Sequence, residues 1–237
     1  MAKKKIETIL AIDTATEICS VALLGREETI YTKESDKGRN HAALISGYVC
    51  HALDVADEKN CQIVALAINA GPGSYTGLRI GSSFAKGFCF ARQIPMIAIN
   101  GLEILAHAYK KYHSSLGENT ILCPMIDARR MEVYYAVFDS QLREISSPGA
   151  MIVSKDTLAS IANNNHLICF GNGALKCQNE APNNEVSFED MPSVAHLMQA
   201  SAFNAFDKKV FVDTAYWEPD YIKDYKAIRS VNKVIHI

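Results

Sequence analysis

Four glycines, Gly71, Gly73, Gly77 and Gly81, punctuate the stretch GPGSYTGLRIG between the apolar run Ile63–Ile68 and the apolar segment Leu78–Ala91. Glycines at a strand-to-helix turn let backbone N–H groups and a helix N-terminus converge on one point, which suits an anion such as phosphate. The spacing departs from both common phosphate loops. A Walker loop carries Lys after its second glycine, and here Leu78 follows Gly77. A dinucleotide loop reads G-x-G-x-x-G, and Gly71, Gly73 and Gly77 leave one residue too many. Ser74 and Thr76 add hydroxyls to the turn, but Ser74 lies outside a G-x-S-x-G elbow and no base is tied to it. A phosphate cradle and a structural turn both stand on the residues alone.

Two carboxylates come next. Ile12-Asp13-Thr14 and Ile126-Asp127 each close an apolar run and open a short turn. Paired carboxylates suit a magnesium ion that also holds phosphate oxygens. The plainer reading is that each Asp closes a turn at a strand end. The seven His are scattered, with no H-x-x-x-H or H-E-x-x-H pair, so no helix presents imidazoles for a metal. The seven Cys are odd in number and lack C-x-x-C; most sit in apolar runs, as free thiols of a reducing cytosol do.

These residues need elements to position them. Strands are predicted at 6–12, 18–24, 28–33, 63–68, 96–99, 121–126, 132–138 and 167–170. Helices are predicted at 41–53, with Asn40 as N-cap, and at 76–91, 102–112, 155–162 and 194–206. Both halves open strand–Asp–turn–strand. Taken together, this predicts a duplicated β-β-β-α-β-α unit folded as two lobes, each aiming one Asp into the cleft between them. No run approaches the ~20 apolar residues of a membrane helix, and no signal peptide is read. A net charge of −2 over 237 residues gives no basic footprint for independent nucleic-acid binding.

The helix after the glycine turn is apolar on most of its faces. Ile80, Phe84 and Phe88 form one line, and Leu78, Gly81, Ala85 and Cys89 another, interrupted by Arg79, Ser82, Ser83 and Lys86. One face can pack on a sheet. The other is either buried within the chain or open to a partner. The helix at 41–53, with His41, Leu44, Ile45 and Tyr48, poses the same question.

The chain resembles the TsaB (YeaZ) family in ILAIDTATEICSVAL (9–23), NHAALI (40–45), GPGSYTGLRIGSSFAKG (71–87), IPMIAINGLEILA (94–106) and IDARRMEVYYAVFD (126–139). AYWEPDYIKDYKA (215–227) resembles that family's C-terminal motif. The resemblance implies an α/β, two-lobed acetate kinase/Hsp70/actin-like fold, with lobes at 1–100 and 101–237 and a C-terminal segment free to return to the first lobe. It implies a cytoplasmic part in making N6-threonylcarbamoyladenosine at position 37 of tRNAs that read ANN codons. A TsaC-type enzyme makes threonylcarbamoyl-AMP, and the paralogue TsaD transfers the group. TsaB binds TsaD, the P-loop ATPase TsaE joins them, and tRNA is met through the complex. TsaD carries H-x-x-x-H just after its P-[LM]-I-x-[VI]-N segment; here those positions are Gly101 and Leu105, which cannot ligate a metal. The resemblance therefore implies a non-catalytic paralogue with no metal and no cofactor of its own, leaving open ATP or ADP at the TsaD interface. The cleft residues Asp13, Thr14, Gly71, Gly73, Ser74, Thr76 and Asp127 become a degenerate phosphate site. His41, Leu44, Ile45, Tyr48, Arg79, Ser83, Phe84 and Phe88 become the partner face, which pairs with a second copy when TsaD is absent. Two enzyme readings stand beside this one: an ATPase or transferase working at the cleft, and a peptidase acting on TsaD.

Overall fold

The computed structural model describes residues 5–35, 40–113, 115–182 and 185–223. Lys3, Lys4, His236 and the last four residues of the 215–227 motif lie outside them.

Strand β1 (Ile6–Asp13) ends in six consecutive buried residues. Such a run marks a strand covered on both faces. It pairs antiparallel with β2 (Ser20–Leu24) and parallel with β4 (Cys61–Gly71). With β3 (Thr29–Glu34) and β5 (Met96–Asn100) the sheet order is β3-β2-β1-β4-β5. Leu10, Ile12, Leu66 and Ile68 face α1 (His41–Glu58) and α2 (Tyr75–Arg92). Ile9, Ala11, Ala65 and Ala67 face the other way, toward α3 (Gly101–Tyr112) and α5 (Gln199–Asp207). The strand period of two thus assigns each residue to one of two cores.

The second half repeats the plan. Its strands are β6 (Thr120–Asp127), β7 (Glu132–Asp139), β8 (Glu144–Ile152), β9 (His166–Phe170) and β10 (Val186–Glu189), in the order β10-β9-β6-β7-β8. The predicted duplication is present, strand for strand and with the same parallel and antiparallel pairings. The repeat has shrunk on its outer face. Helix α4 (Lys155–Ala162) has 8 residues against 18 in α1, and a 3₁₀ turn, Leu175–Glu180, stands where the first lobe has α2. Helix α3 joins the lobes: Ile104 packs into the first sheet's core, and Leu102, Leu105 and Tyr109 into the second's.

The chain that leaves the second lobe comes back. Ala195–Met198 (a 3₁₀ turn) and α5 cover the first sheet. Val212 N–H then donates to Met96 O (3.0 Å), and Asp220 N–H to Ala70 O (2.8 Å). Lys223 ends against Glu132 and the ring of Tyr134, in the second lobe.

Several elements differ from their sequence prediction. The 194–206 helix is split into a 3₁₀ turn and α5. Strands β8 and β10 were not foreseen. β8 is an exposed edge that contains Pro148 and Gly149, both of which weaken a strand signal. Asn40 does not cap α1 through its side chain; its carbonyl accepts from Ala43 and Leu44 instead.

Candidate functional site

The glycine turn follows β4 and opens α2. Ser74 is the N-cap of α2, its Oγ accepting from Gly77 N–H (3.3 Å), so one of the helix's orphan donors is satisfied locally. What faces the turn is the chain itself. Ser74 N–H donates to Ala15 O (2.7 Å), and Thr14 Oγ donates to Gly77 O (2.8 Å). A Cβ added to Gly73 would stand 2.2 Å from Ala15 O, and one on Gly77 2.0 Å from Thr14 O. These two glycines let the turn after β1 lie directly on the turn after β4. Of the two readings of the motif, the structural turn accounts for its glycines.

Asp13 departs from its expected place at an open cleft. It is fully buried and all its contacts are internal. Oδ1 accepts from Ala15 N–H (2.9 Å), while Oδ2 accepts from Asn69 Nδ2 (2.9 Å) and Ser193 Oγ (2.7 Å). Burial pushes the carboxyl's pKa up, against the pull of these donors and of His41. Asn69 spends its remaining groups on Ser193 Oγ and Gly71 N–H. This network joins β1, β4 and the chain before α5. Sequence reasoning missed Asn69 and Ser193. A lone amide in the apolar run IVALAINAG was a usable signal for Asn69, whereas nothing in the sequence marked Ser193.

Asp127 occupies the matching place in the second lobe and repeats the local geometry, with Oδ1 accepting from Arg129 N–H (2.9 Å). It is half-exposed and paired with Lys176, whose ammonium also donates to Glu132 O (2.7 Å). The two carboxylates therefore answer to separate partners, one buried and one at the surface. A second echo went unnoticed in the sequence. Gly171-Asn172-Gly173 follows β9 as Gly71-Pro72-Gly73 follows β4, and Gly171 and Gly71 share φ near 110° (+115 and +108). A Cβ on Gly173 would meet Asp127 N at 2.9 Å, as one on Gly73 meets Ala15.

Gly101 and Leu105 open α3. Asn100 caps it, Oδ1 accepting from Leu102 N–H (3.0 Å) and Glu103 N–H (3.4 Å). Gly101 has no room for a side chain, since a Cβ there would lie 2.8 Å from Asn69 Oδ1. Leu105 is wholly buried in the core between α3 and the second sheet.

Helices α1 and α2 lie side by side on the first sheet, and the groove between them encloses about 880 Å³. Its walls include Ala42, Ser46, Thr76, Arg79, Ser83 and Phe84. The two readings of α2 divide by face. Leu78, Gly81, Ala85 and Cys89 are core, with burial raising the Cys89 thiol to about 12. Ile80, Phe84 and Phe88 are half-buried, the two rings stacked at 6.1 Å. Thr76, Arg79, Ser83, Gly87 and Phe90 point outward, and Phe90 is 85% exposed. On α1, Leu44 and Tyr48 are half-buried and Ile45 floors the groove. His41 does not belong to the outward face: it is buried, and its Nε2 meets Thr16 O at 2.9 Å. Ala42, Ser46 and Phe90 were missed because small residues and a solitary Phe carry no periodic signal of their own. Across this face α1 shows Ala42, Ala43, Ser46, Gly47, Cys50 and His51 to solvent, and its first charged residue is Asp54.

Two mixed sheets of one strand order, joined by a helix between them, define a duplicated two-lobed α/β protein. Within that class the family model described as "TsaD: tRNA N6-adenosine threonylcarbamoyltransferase" matches residues 30–227, and the chain belongs to this family, among its TsaB/YeaZ members. It is similar to the "tRNA threonylcarbamoyladenosine biosynthesis protein TsaB" of Haemophilus influenzae, with 40% identity over 54% of this chain and 52% of the relative. The protein of the same description from Escherichia coli is 40% identical over 55% of this chain and 54% of the relative. The chain spans about half the length of the curated relatives it matches. The solved structure "YeaZ from Pseudomonas aeruginosa" superposes with a TM-score of 0.76 at 27% identity, covering 91% of this chain and 100% of that one. Among the described residues, no helix is long and apolar enough to cross a membrane.

Proposed function

We propose that this chain is a non-catalytic subunit of the machinery that installs threonylcarbamoyl groups on tRNA adenosine. It binds a TsaD-type paralogue through the outward face of α1 and α2 and works in a complex with a TsaE-type ATPase. The observation that carries this reading is that face: a groove of about 880 Å³ between two helices, walled by Ala42, Ser46, Thr76, Ser83 and Phe84 with Arg79 as its one charged side chain, and an exposed Phe90 further along α2. Small residues on this face allow a partner's helices to come close.

The space at Gly101 and Leu105 supports the non-catalytic part. One position is filled by the Asn69 amide, and the other side chain is part of the core. No imidazole pair can project from this end of α3 without rebuilding the junction of the lobes. The alternative, an ATPase or transferase at the interlobe cleft, is not favoured, because Asp13 already holds three protein donors and the glycine turn is packed by Thr14 and Ala15.

The test uses positions that the fold does not need. Ser83 is exposed, so Ser83→Glu should leave urea stability within about 0.5 kcal/mol of the parent. It should nevertheless abolish co-purification with the cognate TsaD, since a charge buried unpaired at a protein interface weakens binding by at least tenfold. Retention of full binding by Ser83→Glu and by Ala42→Arg together would place the interface elsewhere.

A further inference from the structure

A second concavity lies on the opposite side of the molecule and belongs to neither the glycine turn nor the α1–α2 groove. The C-terminal end of α3 and the chain from β10 to the Ala195–Met198 turn enclose about 270 Å³. That is near the lower end of the range for small-molecule sites. Tyr109, Met191 and Leu197 supply apolar wall, and Tyr112, 59% exposed, stands at the mouth. The charged lining is acidic: Glu189 and Asp190 contribute carboxylates, and no Lys or Arg lines the cavity among the described residues. The imidazoles of His113 and His196 complete the rim.

Three independent features of this cavity favour a positive charge. The first is Glu189. Its Oε1 accepts from Tyr109 OH (2.6 Å), which fixes the carboxylate, while Oε2 has the imidazole of His113 at 3.7 Å, beyond hydrogen-bond length. That oxygen retains acceptor capacity. The second is the cavity's place at the C-terminus of the 12-residue helix α3, where the helix dipole is negative. The third is the exposed ring of Tyr112, whose face attracts cations. The site is also rigid. Tyr109 is stacked between Phe170 (4.1 Å) and His113 (4.0 Å), and burial together with the Glu189 contact raises its pKa, so its hydroxyl stays a donor.

We infer that this cavity binds a small organic cation, an ammonium or guanidinium group on a short apolar carrier, with Glu189 as its anionic anchor. This inference does not rest on the proposed function, and its test needs no other protein. The full chain is titrated with benzylammonium and butylammonium, and with the neutral benzyl alcohol and butanol, while the imidazole resonances of His113 and His196 are followed by NMR. The expected result is saturable shifts of both resonances with the cations, and binding at least tenfold weaker with the neutral compounds, as loss of a charge-assisted hydrogen bond gives. Glu189→Gln keeps an acceptor for Tyr109 OH and should cost the cations a similar factor. Tyr112→Ala touches only an exposed ring and should weaken them several-fold without affecting folding. Equal binding of cations and alcohols, unchanged binding in Glu189→Gln or in Tyr112→Ala, or no saturable shift at either imidazole would overturn the inference.

Discussion

Gly77 carries a backbone position that only hydrogen can share with Thr14 O, whereas Gly87, ten residues along the same helix, has nothing within 4 Å. The two make a matched pair. Gly77→Ala should destabilise the chain by about 1–3 kcal/mol through overpacking, and Gly87→Ala should stabilise it by roughly 0.5–1 kcal/mol through helix propensity. Urea midpoints measure both, and a neutral Gly77→Ala would show that the turn is not filled by Thr14. Asp13 makes a prediction in pH. Its pKa is raised by burial above the unfolded value of about 3.9. Between those two values the folded chain holds more protons than the unfolded one, so this residue's contribution falls as pH rises through the window and then levels off. The stability of the parent minus that of Asp13→Asn should therefore decline with rising pH from near 4 upward. Asp220, also raised by burial, is present in both chains and cancels. A difference that is flat or that climbs with pH would contradict the assigned burial. At this scale the sequence displayed which residues were special but not why. The glycine spacing failed two phosphate patterns, which was legible. That Thr14 and Ala15 fill the turn was not, because their contact spans some sixty positions of chain and no local pattern encodes it.

Helix α3 illustrates how an element can hold a site by its ends. Asn100 caps its first turn and also reaches Asp220 Oδ2 at 3.4 Å, so one side chain ties the helix start to the returning C-terminal chain. Asn100→Ala should cost about 1–2 kcal/mol, the ordinary value of an N-cap, with the loss seen in a lower urea midpoint. An unchanged midpoint would mean that the cap contributes nothing once Leu102 and Leu105 are packed. Elements with strong signals were legible from sequence: β1, α2, α3 and β6 stand where predicted to within one residue at each end, and α1 starts where predicted but runs five residues further, to Glu58. The less regular ones were not. β8 is exposed along much of its length and interrupted by Pro148 and Gly149, so its alternation is weak. The 3₁₀ turn at Leu175–Glu180 replaces a full helix, and a six-residue element buries too little to leave a periodic trace. The outward face of α1 and α2, the proposed partner surface, was legible in part. The apolar lines of α2 implied a surface, but which residues turn outward depended on where the sheet lay beneath, and so His41 was placed outside when it is buried.

Across the whole molecule, the duplication explains both what is kept and what is lost. Each lobe retains the Asp that closes its first strand and the Gly-x-Gly turn that packs on it. The second lobe has shortened its outer helices, and the first has enclosed its carboxylate. What remains open is the outer face of the long helices α1 and α2, to which the proposed function assigns association. The strand–Asp–turn echo made the duplication legible. The return of α5 and the segment 212–223 to the first lobe was less so, because the residues that hold it, such as Val212 and Asp220, bond through backbone groups that no side-chain pattern announces. The most direct measurement is reconstituted tRNA threonylcarbamoylation with the cognate TsaC-type, TsaD and TsaE proteins, scored by nucleoside mass spectrometry with and without this chain. Modified adenosine should form only when the chain is present, should be lost with Ser83→Glu, and should be absent when TsaD is omitted. Modification that proceeds equally without the chain, or that the chain supports without TsaD, would contradict its assignment as an obligatory non-catalytic partner.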